Sequence, residues 1–137
     1  MDLKDQLIED EGLQLFPYTD TTGNITIGVG RNLTRDGISE DEAMILLEDD
    51  IEKVTSQVNA RWPWVEQLNE PRQAVLYNMA FNMGIGGLET FTHFLGYAKA
   101  GMWLKASMAM IDSLWAKQVG ERAVRLSEQM KTGKWES

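Results

Sequence analysis

The chain has 137 residues, 43% hydrophobic and 25% charged, enough to bury a core without metal or disulfide staples and too few for a second full domain. Cysteine is absent, which excludes disulfides, a thiol nucleophile and a cysteine metal site; the single histidine, His93, excludes a histidine-rich metal site and reads as part of a surface segment. The net charge of −8 is uneven, −11 over residues 1–70, zero over 71–98 and +3 over 99–137, and so acidic a chain is a poor nucleic-acid binder.

The first thirteen residues carry acids throughout and lack the apolar stretch of about 7 to 15 residues that a signal peptide needs, and no run approaches the roughly 18 residues of a membrane helix. Synthesis in the cytosol is expected. Asp2 is a helix start signal and Gly12 a stop, which predicts a helix over 2–11. At about 100° per residue Leu3, Leu7 and Ile8 share one arc, with Glu11 near its centre. Glu11 is therefore expected to face the core, where burial and the negative end of the helix dipole both raise a carboxyl pKa, as a general acid requires. The bland reading is an exposed acid at a fraying helix end.

The period then changes. Thr21-Thr22-Gly23-Asn24 leads into Ile25, Ile27 and Val29 alternating with Thr26, Gly28 and Gly30, a strand after a tight turn. Glycines leave that second face open to close approach, and Thr26 is expected to project its hydroxyl from it. Singly, Asp20 reads as a turn residue and Thr26 as an ordinary strand former.

Ser39 and Glu42 form a capping box, followed by Ala43, Leu46, Leu47, Ile51, Val54 and Val58 at helical spacing, with the acidic run Glu48 to Glu52 on a solvated face. This predicts a long joining helix over about 39–59. Trp62-Pro63-Trp64 breaks it, and Asn69-Glu70-Pro71 starts another. Residues 72–83 are apolar nearly all round, Asn78 reads as a hydrogen-bonded core amide, and Gly84 is the expected stop. Helices near 92–99, 102–112 and 120–131 follow, with Met102, Trp103, Met108, Met110 and Trp115 as core.

Glu11, Asp20 and Thr26 together suit glycoside hydrolysis, in which one carboxylic acid protonates the leaving oxygen and one carboxylate activates water or attacks the sugar. Glu11 fits the acid, and Asp20, better solvated in its turn, the carboxylate that stays ionised. Thr26 would help to hold the water. No metal or organic cofactor is needed for that chemistry.

These residues resemble the phage-type lysozymes of the T-even endolysin group, glycoside hydrolase family 24. The likeness lies in Asp10-Glu11-Gly12-Leu13, Tyr18, Asp20, Gly23 and Thr26-Ile27-Gly28-Val29-Gly30. It continues in Asn78 to Gly84, Phe91-Thr92, Trp103, Ser113-Leu114-Trp115, Arg122-Ala123, Arg125 and Thr132 to Trp135. The resemblance implies an α+β, mainly helical lysozyme-like fold. A small hairpin lobe spans about 12–38, and the helical lobe spans about 60–137 with the N-terminal helix 2–11. The active cleft is expected between the lobes.

It further implies a muramidase cutting the β-1,4 bond between N-acetylmuramic acid and N-acetylglucosamine, usually with inversion. Glu11 is then the general acid, Asp20 the residue that positions or activates water, and Thr26 its support. Gly30, Asn32, Phe81 and Asn82 are the glycan-binding positions. Arg122 matches an arginine that pairs with the catalytic glutamate, which opposes the pKa rise inferred from burial. Peptidoglycan strands are the expected partner of a monomer, with a holin-type partner for release; by charge alone, the overall acidity counts mildly against strong wall affinity and leaves the basic C-terminal third as the part to face the glycan. Arg31 and Asn32 depart from the His and apolar residue usual there. The third strand and small helix of longer members are expected to be cut away at Leu33 to Ser39, leaving a shorter, more open lip. Two other readings stay open: a lytic transglycosylase using Glu11 alone, and a glycan-binding module without chemistry.

Overall fold

Asp2 opens the first helix by accepting the backbone N–H of Asp5 at 2.8 Å, and α1 runs Leu3–Glu11 until Gly12, at φ +80°, turns the chain away. In the computed structural model, which describes residues 1–136, two compact units follow from the chain contacts, Met1–Leu46 and the residues from Leu47 on. The division falls inside a long helix. The architecture is α+β, mainly helical with one small sheet, as expected.

The first unit holds α1 and a three-stranded antiparallel sheet in the order β1 (Gln14–Thr19), β2 (Ile25–Gly28), β3 (Arg31–Asn32). A one-turn helix, α2 (Leu33–Asp36), and the first turns of α3 (Glu40–Arg61) complete it. The third strand and small helix expected to be cut away are thus present. Asn32 makes this possible, because its Oδ1 accepts the N–H of Arg35 at 2.9 Å and caps α2 directly after the strand.

No apolar side chain of this unit is buried; only Thr26 and Asn32 are. Leu3 and Leu7 are exposed, as are Leu46, Leu47 and Ile51 of α3, so the core-facing stripes expected on both helices are not packed. A helix stripe is buried only where another element lies across it. On α3 this happens near its end, at Val58, with Val54 half-buried. Polar contacts hold the small unit instead, and the capping box is one of them. Ser39 Oγ accepts the N–H of Glu42 at 3.1 Å, and Glu42 Oε1 accepts the N–H of Ser39 at 2.9 Å.

The second unit contains the hydrophobic core. Val58, Val65, Val75, Leu76, Met79, Leu88, Phe94, Met110 and Met130 are fully buried. Each such side chain contributes roughly 1.5 to 3 kcal/mol relative to exposure. After a 3-10 turn (Pro63–Gln67), α4 spans Glu70–Glu89 with a break at Gly84, φ +79° and ψ +164°. The expected stop is therefore a kink, since a second helical stretch resumes behind it. α5 (Thr92–Lys99), α6 (Trp103–Ile111), α7 (Leu114–Val119) and α8 (Glu121–Thr132) follow. Of the Met and Trp set, Met110 and Trp115 are buried, Trp103 packs against the core, and Met102 and Met108 are exposed.

Arg72 ties the start of α4 to the end of α8. Its Nε and Nη2 donate to the carbonyls of Met130 and Lys131 at 2.8 and 2.9 Å, and its guanidinium lies 4.0 Å from the centre of the Trp103 ring. Those carbonyls are left over by the helix end, so a cation there satisfies both the orphan acceptors and the helix dipole.

Candidate active site

Glu11, Asp20, Thr26, Gly30 and Asn32 all belong to the first unit. Asp20 opens the β1–β2 loop and is its organising residue. Its Oδ1 accepts the N–H of Thr22 at 2.9 Å, the Thr22 hydroxyl at 2.8 Å and the N–H of Asn24 at 2.9 Å. The backbone closes the same loop, Asp20 N–H donating to Asn24 O at 2.8 Å, while Asn24 Nδ2 donates to Thr22 Oγ1 at 2.9 Å. The Asn24 N–H first, then the Thr22 hydroxyl, hold the carboxyl below its ordinary pKa. Asp20 is therefore an oriented carboxylate at neutral pH. Among the described residues no donor engages Oδ2, which leaves that oxygen for water.

Thr26 sits in the middle strand, paired with Tyr18 on one side and Asn32 on the other. Residues opposite one another in a ladder share a face, so those two side chains flank it. It is 4% exposed, its hydroxyl 3.3 Å from the Asn24 carbonyl, while Ile25 on the other face is half exposed. The face expected to be bare is the covered one. Asn32, also buried, commits Oδ1 to capping α2 and keeps its Nδ2 for another acceptor.

Glu11 ends α1 and is exposed, not core-facing, because its own unit has no apolar core to receive it. Its carboxylate lies against Gly30. An ideal Cβ on Gly30 would stand 2.9 Å from Glu11 Oε2 and 3.2 Å from its Cδ. Gly30 lies in the β2–β3 turn at φ +69°, so both its backbone conformation and its neighbour demand glycine.

Arg31, noted in the sequence only as a departure, anchors that turn. Its Nη1 donates to Glu42 Oε1 at 2.8 Å and to the Gly37 carbonyl at 3.2 Å. The Arg31 guanidinium first, then the Ser39 N–H, pull the Glu42 carboxyl down to about 2. Thr34 Oγ1 accepts the N–H of Ile25 at 2.8 Å, stitching α2 to the sheet.

Phe81, Asn82 and Arg122 belong to the second unit. Phe81 is 45% exposed on α4. Asn82 Oδ1 accepts the indole N–H of Trp115 at 2.9 Å, so the amide is oriented with its Nδ2 outward. Arg122 gives Nε and Nη2 to Asn78 Oδ1 at 2.9 and 2.7 Å. Asn78 is therefore an exposed guanidinium acceptor and not a core amide. This unit also carries a groove of about 870 Å³ lined by Phe91, His93, Tyr97, Lys105, Asp112 and Trp115.

A family model described as phage lysozyme matches residues 8–131. The whole chain is 34% identical to the pre-baseplate central spike protein of Enterobacteria phage T4, of whose length it spans 29%. It is 28% and 27% identical to probable T4-type lysozymes 1 and 2 of Dictyostelium discoideum, each alignment covering 96% of this chain and 94% of the relative. The alignment to the spike protein runs over 165 positions against 137 residues here, so that relative carries stretches with no counterpart in this chain.

Proposed function

The chain belongs to the phage lysozyme family, and from that premise we propose that it is a muramidase hydrolysing the β-1,4 bond between N-acetylmuramic acid and N-acetylglucosamine in peptidoglycan. Glu11 is the general acid, giving its proton to the glycosidic oxygen as the bond to the anomeric carbon breaks. A water attacks that carbon from the opposite face and passes its proton toward Asp20. The product is a reducing-end sugar of inverted configuration, and solvent restores the proton on Glu11.

The observation that carries this reading is the state of Asp20. Three donors on Oδ1 keep it ionised and fix its plane, while Oδ2 is left to take the proton of a water. Thr26 supports the same loop through Asn24, and the outward Nδ2 of Asn82 is a donor for a glycan hydroxyl.

Mass spectrometry of fragments released from purified peptidoglycan, with Glu11→Gln as the control, tests the proposal. Reducing-end muropeptides that vanish in the control are the expected result. Anhydromuramyl ends would instead mean a transglycosylase, and no fragments at all a binding module.

A further inference from the structure

In the first unit the Glu11 side chain packs against the Gly30 turn. Within residues 1–46 no hydrogen-bond donor engages its carboxylate, and an ideal Cβ on Gly30 would stand 2.9 Å from its Oε2 and 3.2 Å from its Cδ. Where Gly30 lies therefore limits where the acid can sit. Gly30 belongs to a turn between β2 and a β3 only two residues long, and so short a ladder is a weak anchor. No buried apolar side chain in this unit helps to hold it.

The residue after Gly30 supplies the missing anchor. Arg31 Nη1 bridges the Gly37 carbonyl and Glu42 Oε1, and Glu42 is fixed in turn by the Ser39 capping box at the start of α3. The turn is thus pinned to the end of a 22-residue helix on one side and to the ladder pairs Ile27↔Arg31 and Thr26↔Asn32 on the other.

We infer that the Arg31–Glu42 pair is a positioning device for Glu11, acting through the Gly30 turn. This rests on the reading of Glu11 as the general acid. Arg31 touches neither the scissile bond nor the water. Its effect is on how far the carboxylate wanders from the geometry of proton transfer, and misplacement on the scale of 1 Å lowers turnover by up to about 100-fold.

The test compares Arg31→Ala, Arg31→Lys and Arg31→Met with Arg35→Ala. Arg35 forms an equally local ion pair with Asp36 nearby but holds no part of the Gly30 turn. On soluble uncrosslinked glycan strands, well below each melting temperature, Arg31→Ala is expected to lose about 10- to 100-fold in kcat with KM within twofold. Arg31→Lys recovers most of the loss, and Arg35→Ala is unchanged. Amide exchange at Arg31 quickens by about tenfold or more in Arg31→Ala, and the Glu11 side-chain carboxyl resonance shifts.

Wild-type kcat in Arg31→Ala, a loss confined to KM, an equal loss in Arg35→Ala, or unchanged exchange at Arg31 would each overturn the inference. If Arg31→Ala does not fold, Arg31→Met carries the same readouts, since it keeps an apolar stem of similar length and removes every donor to Glu42 and Gly37. If the wild-type protein releases no fragments, the muramidase reading fails by itself. The exchange and carboxyl measurements then decide the positioning role alone.

Discussion

Adding one methyl group at Gly30 separates two effects that usually come together. The new Cβ would lie 2.9 Å from Glu11 Oε2, where non-bonded contact begins at about 3.4 Å, so the carboxylate must retreat by about 0.5 Å or more. Catalytic groups tolerate about that displacement and little beyond it. Gly30→Ala also places an L-residue at φ +69°, which costs about 1 to 2 kcal/mol. Gly28 provides the control, because it too has φ +69° and a Cβ there meets nothing within 4 Å. Both alanine variants are therefore expected to lose about 1 to 2 kcal/mol, roughly 3 to 8 °C in Tm. Only Gly30→Ala is expected to lose about 10- to 100-fold in kcat for release of reducing ends. Thermal unfolding and steady-state turnover on soluble glycan strands, run on both variants, give the comparison. Equal kcat losses would attribute the effect to backbone strain and refute the contact argument. A loss confined to KM would make Gly30 a glycan contact and not a seat for the acid.

Asp20→Asn should keep the loop, since an amide oxygen still accepts the Thr22 and Asn24 donors, yet lower fragment release by about 100-fold or more. Unchanged release would remove Asp20 from the mechanism. Arg72→Ala removes two charge-assisted hydrogen bonds and a stacked guanidinium, and with water reaching the Lys131 end the expected loss is about 2 to 3 kcal/mol by urea unfolding. A loss under about 0.5 kcal/mol would show that the α8 carbonyls are as well served by water. Glu42 is held at about 2 in the folded chain against an ordinary 4.5, so its stabilising effect is complete above about pH 4.5 and is lost as pH falls toward 2. Unfolding midpoints between pH 6 and 2 should accordingly fall more steeply for the wild type than for Glu42→Gln, and parallel curves would contradict the Arg31–Glu42 link.

Local signals were legible and the elements they predict are present. Asp2, the Ser39–Glu42 box, Asn69-Glu70-Pro71 and the break at Gly84 act within a few residues, so their chemistry is complete in the sequence. The short helix α7 escaped because six residues are too few to show a helical period. Ser113, whose Oγ accepts the N–H of Ala116 at 3.1 Å, was the signal for it. The Thr22 and Asn24 partners of Asp20 likewise lay in plain view as a turn, without any sign of which oxygen they would occupy.

The one-dimensional pattern determined the family, the helical content and the identity of the candidate acid and carboxylate, because residue types at fixed local spacing carry that information. Tertiary structure decided which faces are covered. Periodicity places Thr26 and Ile25 on opposite sides of a strand, but only the pairing with Tyr18 and Asn32 says that Thr26 is the buried one. Periodicity gives α1 and α3 apolar stripes, but burial needs a partner surface, and the first unit offers polar contacts in place of a core. The joining of Arg31 to Glu42, of Glu11 to the Gly30 backbone, and of Asn82 to Trp115 depends on turns and kinks that bring distant residues together, and no local rule specifies where those side chains meet.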